Sequence, residues 1–316
     1  MAALSNQLFV VSVVAYLAAV IAFATAHALR GTDRSRRPAL VAAGTSSMPL
    51  RPEAPTPARL ENHRRAGLGA VMAMVVAALA QAGCLVARAV AAGRVPWGNM
   101  YEFIVALTLV GTVAWLALAA RRREVRPLGL YVAVGAVILL GVAGLRVYTP
   151  AGPLVPALQS MWLAVHVSAA AIASGLFLLG FLAAVALLLR ARYDARGAGR
   201  PTDLRDTLAM RLPALQPLRR MSFRLHATGF LVWTFAVMAG AVWAEASWGR
   251  YWGWDPKETW AFISWVVYAA YLHAQATASV RPTTGAWLAV AGWATMVFNL
   301  FAVNLVISGL HSYAGT

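Results

Sequence analysis

Between two long apolar runs, residues 247–262 read SWGRYWGWDPKETWAF, with four tryptophans beside Asp255, Lys257 and Glu258. Six of the chain's twelve tryptophans fall between Trp243 and Trp265. Aromatic residues that anchor helices at headgroup level are spread over many helix ends. Such a belt accounts for one or two of these rings, Trp243 and Trp265, but not for a cluster crowded into one connection. DPKE also has a local role. Asp255 suits a helix N-cap, Pro256 the first helical position, and Glu258 completes a capping box. A helix capped this way leaves Trp248, Trp252 and Trp254 on a rigid approach loop. Three flat indoles so presented make a platform for a large, flat, apolar ligand.

The six histidines narrow the ligand. His166 ends SMWLAVH near the start of one apolar run, and His311 lies in SGLHSY just past the last run. An ionisable side chain at membrane depth is costly and marks a functional site. Two imidazoles flanking an indole platform are what a haem needs, one on each axial face of the iron. A quinone or a lipid-linked sugar fits the platform less well, and two unrelated histidines each bonding a backbone carbonyl remain the plain alternative. His273 lies 18 residues after Asp255, which is ~27 Å along a helix. That is too far to share a ligand with the tryptophans, so it points to a second, inner site. His226 and His27 have a comparable depth and compete with an interfacial role. His63 falls in a polar linker and reads as solvated. The single cysteine, Cys84, excludes an intrachain disulfide, a CxxC pair and a cysteine metal site.

The elements that must position these residues follow from composition. The 316 residues are 60% hydrophobic and 12% charged, with mean hydropathy +0.66. That is too apolar for a soluble globule, and a helix crossing the hydrocarbon needs about 20 apolar residues. Eight runs qualify, at 6–29, 67–90, 102–120, 128–146, 161–189, 223–245, 259–280 and 286–309. The expected fold is all-α, a polytopic membrane helix bundle of about eight transmembrane helices forming one membrane domain over 1–316. The first run lacks the basic start and small-residue cleavage site of a signal peptide. No internal repeat is visible.

The net charge of +16 is not a nucleic-acid signature, because of where it sits. Eight arginines lie in 30–66, four in 121–126, nine in 190–224, and Arg281 adds another. These alternate loops therefore face the cytoplasm by the positive-inside rule, where they meet anionic lipid headgroups. Both termini and the tryptophan-rich segment 243–260 then lie on the extracytoplasmic side of the cell membrane. Residues 30–66 read as a flexible cytoplasmic linker, and 190–221 as a basic loop in which LRDTLAMRL forms a short interfacial helix.

Trp248-Gly249, Trp252, Trp254 and Asp255 resemble the WWD signature of the haem-handling proteins of cytochrome c maturation. PWGNMYE (96–102), SMWLAVHVS (160–168), residues 240–274 and NLVISGLHSY (304–313) are similar to that family's core segments, so the resemblance covers most of the chain. The helix count and the ending favour its CcsA (ResC) branch. What the resemblance implies is a membrane subunit of a cytochrome c synthase, or haem lyase. Haem b would move from an inner site to an outer one and be attached there to the CxxCH motif of apocytochrome c. His166 and His311 match the outer iron ligands and His273 the inner one, with Trp248, Trp252, Trp254 and Asp255 forming the WWD wall. The implied partners are a CcsB/ResB-like membrane protein, apocytochrome c and a thiol-reducing thioredoxin-like protein. The second inner ligand is expected from the partner, with His226 and His27 as intrinsic alternatives. A haem exporter or an assembly subunit without synthase activity is the rival reading.

Overall fold

The structure is a computed structural model that describes residues 1–30, 57–153, 158–197, 204–307 and 309–311. Its helices are α1 (Ala2–Arg30), α2 (Pro57–Ala92), α3 (Met100–Arg121), α4 (Gly129–Arg146), α5 (Met161–Ala195), α6 (Leu204–Ala209), α7 (Leu215–Trp248), α8 (Pro256–Ala276) and α9 (Pro282–Val297). A 3-10 turn, Arg123–Leu128, leads into α4. A π-helical turn, Phe298–Ala302, and a last α-helical turn, Val303–Leu305, continue α9. No strand occurs among the described residues. The chain is thus an all-α, multi-pass membrane bundle.

Seven of these helices are long and apolar enough to cross a membrane: α1–α5, α7, and α9 with its continuation. The difference from the expected eight is α8, in which tryptophans, tyrosines, His273 and Gln275 dilute the aliphatic residues. Two contacts bear on the count. Asn6 near the start of α1 bonds Tyr148 Oη at 3.0 Å, while Arg88 at the far end of α2 donates to the neighbouring Thr149 carbonyl at 2.6 Å. The start of α1 therefore lies at the same end of the bundle as the loop after α4. His311 shares a cavity with Leu158, which follows that loop. Asn6 and His311 thus lie toward one end of the bundle, with the seven apolar helices and the less apolar α8 in the chain between them.

Helix α5 is the hub, packing against α3, α7 and α9. Its buried Ala169, Ala170, Ala171, Ala173, Ser174 and Gly175 let neighbouring backbones approach closely, as helices in lipid require. A buried polar chain ties α1, α2 and α3. Tyr16 Oη donates to Gln81 Oε1 at 2.7 Å, and Gln81 Nε2 donates to Thr108 Oγ1 at 2.6 Å. Arg122, Arg220 and Arg224 border one cavity at the other end of the bundle, so basic residues from two separate connections gather there.

Three expectations change locally. The expected linker 30–66 is helical from Pro57, and His63 Nδ1 donates to the Ala26 carbonyl at 3.0 Å instead of being solvated; residues 31–56 lie outside the described residues. Within 190–221, the first six residues extend α5, Leu204–Ala209 form the short helix, and 215–221 begin α7; 198–203 lie outside the described residues. Trp248 is the last residue of α7 and not part of the approach loop. The helix runs on until Gly249 (φ 70°) accepts the left-handed turn that stops it, a conformation costly for any residue with a Cβ.

Candidate functional site

Four connections converge on one cavity. Helix α3 starts at Asn99, whose side chain accepts the Glu102 N–H at 2.9 Å, and α5 starts at Ser160, which accepts from Trp162 N–H at 3.2 Å. Helix α8 starts at Asp255 with the capping box that its DPKE sequence predicts. The fourth is the chain after α9, which brings in His311. Between them lies about 1110 Å³ of unfilled space, bordered mainly by apolar side chains together with His166, Lys257, Asn299, Asn304 and His311. A smaller cavity of about 470 Å³ adjoins it beneath Trp248 and Trp252. His166, Trp233, Trp243, Lys257, Ala261 and His311 border both, so they form the partition between two halves of one site.

The partition is built around Trp243, which is only 2% exposed. The His166 ring lies parallel to it, with centroids 6.0 Å apart and 9° between planes. His311 meets Trp243 edge-on at 5.7 Å and Trp248 edge-on at 5.1 Å. His166 on α5 and His311 at the end of the chain, distant in sequence, therefore border the same indole and the same cavity.

Each imidazole is oriented by an acceptor. His166 Nδ1 lies 2.8 Å from the Ala236 carbonyl of α7, which can only accept, so Nδ1 carries the proton and Nε2 the lone pair. His311 Nδ1 lies 2.8 Å from Asp255 Oδ2 and donates to it, which selects the same tautomer. Room for the first ring comes from Gly240 on α7. A Cβ there would sit 2.7 Å from His166 Cε1 and Nδ1. Asp255 also accepts the Leu310 N–H at 2.8 Å and the Lys257 N–H at 3.1 Å. Burial alone would raise its pKa, but the His311 bond, the Leu310 N–H and the nearby His311 charge outweigh it and hold the carboxyl down at about 2.

The three platform indoles separate. Trp248 and Trp252 border the smaller cavity, and the Trp252 Nε1–H is enclosed without a partner among the described residues. Trp254 turns outward, 64% exposed at φ 57°, and packs edge-on against Trp252 and Phe262. Asp255 borders neither cavity and touches the site through His311. Trp243, read from the sequence as a headgroup anchor, is the central ring. Trp265, read the same way, packs on Phe230 and Phe262 and donates to Thr234.

The inner histidines do not assemble with one another. His273 is exposed on α8, and among the described residues its ring makes no side-chain hydrogen bond or ring contact. His226 is fully buried among Phe177, Tyr268 and Tyr271, with Nδ1 donating to the Ser222 carbonyl at 2.8 Å. Tyr271 faces inward and His273 outward on the same helix, so His226 does not pair with His273. His27 Nδ1 is likewise committed to the Phe23 carbonyl at 2.8 Å.

Sequence reasoning passed over the rim. Glu102 is fully buried and receives Arg88 Nε at 3.0 Å, Arg94 Nη1 at 2.9 Å and the Gly98 N–H at 2.7 Å. The same arginines donate to the carbonyls of Thr149 and Gly152. This cluster ties the loop carrying Trp97 and Asn99, which border the large cavity, to the loop after α4. The signal was the Glu of the YE pair following an N-cap asparagine, but its two cationic partners lie apart from it in sequence.

Residues 97–311 match the family described as Cytochrome C assembly protein. The chain belongs to that family. It is a CcsA-type cytochrome c biogenesis protein, with a role in cytochrome c maturation. It is 36% identical over 281 residues to the cytochrome c biogenesis protein CcsA of Synechococcus elongatus, covering 76% of this chain and 85% of that one. Against CcsA of Synechocystis sp. the identity is 34% over 296 residues, covering 78% and 87%. Against CcsA of Arabidopsis thaliana it is 32% over 271 residues, covering 73% and 81%. Among solved structures, Cytochrome c Heme Lyase CcmF superposes with a TM-score of 0.59 over 96% of this chain. At 20% identity, and with this chain spanning half of that longer one, the likeness establishes a shared bundle fold.

Proposed function

We propose that this family member is the membrane subunit of a cytochrome c synthase. It carries haem b to the extracytoplasmic face and positions it for attachment to the CxxCH motif of apocytochrome c. The observation that carries the reading is the pair His166 and His311, two imidazoles on one cavity, each held in the Nδ1–H tautomer. Iron ligation through Nε2 with the other nitrogen bonded to a carbonyl or carboxylate is the usual second-shell arrangement of a metal-binding histidine. The apolar walls of the cavity suit a macrocycle.

The haem supplies two vinyl groups. Each acceptor thiol adds across one of them, sulfur bonding to one carbon and the thiol hydrogen ending on the other, with no oxidant and no leaving group. The chain needs no nucleophile of its own, and its one cysteine is buried beside Ser5 and Tyr101. Its residues hold and orient. His166 and His311 would fix the iron, while Trp248 and Trp252 wall the edge that meets the acceptor. Positioning of this kind can remove ~7–11 kcal/mol of a bimolecular barrier in ideal cases. The acceptor histidine of CxxCH would take the place of His166 or His311, which would favour release of the product.

The exposed His273 suits an inner haem site completed by a CcsB/ResB-like partner, and a thioredoxin-like reductant would keep the acceptor cysteines as thiols. The arginine-rich end then faces the cytoplasm and anionic lipid, and the chain is a multi-pass protein of the cell membrane with both ends outside. Reconstitution with haem and a CxxCH peptide, with and without that partner, tests the assignment. Thioether product, read as a pyridine haemochrome of the peptide, is expected with the partner present. Bis-imidazole haem bands without any thioether product would leave a haem exporter, the rival reading.

A further inference from the structure

We propose that Lys257 and the side-chain amide of Asn299 form a carboxylate-binding subsite that takes one propionate of the haem. The proposal rests on the reading of His166 and His311 as iron ligands. Lys257 borders both halves of the cavity, beside both imidazoles. Its Nζ donates to the Asn299 carbonyl at 2.9 Å. An ammonium has three donors, so this carbonyl leaves two N–H groups unused. Among the described residues no carboxylate lies within ion-pair distance of Nζ. The two acidic neighbours are committed elsewhere. Asp255 serves His311, Leu310 and the Lys257 backbone, and Glu258 Oε2 accepts from the backbone of Gly253 and Asp255, with Arg250 3.7 Å away; Glu258 Oε1 has no hydrogen-bond partner among the described residues but lies beyond ion-pair distance of Nζ.

The second observation is at Asn299. Its side chain is 5% exposed, and its Oδ1 is enclosed with no partner among the described residues. A half-turn of the amide presents Nδ2 at the same position, a neutral donor beside the ammonium. The backbone is arranged for this. In the π-turn Val303 N–H bonds the Phe298 carbonyl instead of the Asn299 carbonyl an α-helix would use, which leaves the latter for Lys257. Such turns recur at functional sites.

An enclosed amine with spare donors and no anion within ion-pair distance among the described residues is incomplete, and a carboxylate ligand would favour its charged form. The ligand that completes it brings one carboxylate on an otherwise apolar body, because the rest of the lining is mainly apolar. Haem has that chemistry, and so does a fatty acid. Anchoring one propionate here would fix the rotation of the macrocycle about the His166–His311 axis. That rotation decides which porphyrin edge meets Trp248 and Trp252.

The test compares haem with haem dimethyl ester, which lacks both carboxylates, on purified wild-type chain and on Lys257→Met. The readouts are the amount retained, the bis-imidazole absorption bands and the reduction potential. Wild type should retain haem at least about tenfold better than the diester, the weight of one charge-assisted hydrogen bond. Lys257→Met should retain both equally, at the diester level, with bis-imidazole bands unchanged. The wild-type comparison stands if the variant fails to fold, and Lys257→Gln, which keeps a donor to Asn299, should also reduce the preference. Equal retention by wild type, or an undiminished preference in Lys257→Met, overturns the subsite. Displacement of the wild-type haem advantage by oleate at equal concentration reassigns the site to lipid carboxylates and also overturns it. Absence of bis-imidazole bands from every sample removes the axial assignment and the subsite together, so the two failures are told apart.

Discussion

His311 Nδ1 stands 2.8 Å from Asp255 Oδ2, a contact spanning 56 positions that joins the start of α8 to the chain beyond α9. One carboxylate thus caps a helix and orients an imidazole on the cavity. Removing it should misorient His311 without touching the cavity wall. Asp255→Ala is expected to weaken haem retention about 10–100-fold, the usual cost of losing an outer-shell partner of a metal-binding histidine, and Asp255→Asn should lie between it and wild type. Equilibrium haem binding measures this.

The same carboxyl makes a pH prediction. Its folded pKa, about 2, is below the ordinary 3.8, so its contribution to stability is complete above the ordinary value. That contribution is lost as pH falls through about 2. The protonated-carboxyl infrared band absent from an Asp255→Asn difference spectrum should appear only near that pH. Its appearance at pH 4 would contradict the contact.

His166→Ala and His311→Ala should each abolish the bis-imidazole bands, with exogenous imidazole restoring them by entering the space left. His273→Ala in the isolated chain should leave those bands intact, since His273 lies on the outside of α8. Absorption spectra of the three variants decide this. Unchanged haem content in both of the first two would end the ligand assignment.

Gly240→Ala should displace the His166 ring, because the new methyl would lie 2.7 Å from two ring atoms and α7 backbone cannot move without its hydrogen bonds. A loss of about 1–3 kcal/mol in stability should accompany a reduced or shifted haem spectrum. Thermal unfolding and absorption on one sample read both. Spectra identical to wild type would show that the ring is not held where Gly240 admits it.

Glu102→Ala leaves Arg88 and Arg94 facing each other with no carboxylate, Arg88 being 1% exposed. Breaking a buried pair from one side costs about 3–5 kcal/mol. The variant should show a large drop in melting temperature, and the Asn99 loop beside the cavity should become proteolytically accessible. Retained stability would mean that water replaces the carboxylate.

Local signals carried much of the fold. Apolar runs of bilayer length predicted the helices, since a lipid-crossing backbone must satisfy its own hydrogen bonds, and DPKE predicted the start of α8 because capping is decided within four residues. Side-chain chemistry alone singled out His166, His311 and the tryptophan segment. Which rings meet was not legible. A helix face is set by packing against α5, and that packing buries Trp243 against both imidazoles, turns Trp254 outward and leaves His273 on the surface. The acceptors that select the histidine tautomers, Ala236 and Asp255, come from other elements, and so do the arginines on Glu102. Contacts between residues dozens of positions apart depend on how whole helices dock, and only the tertiary structure decided them.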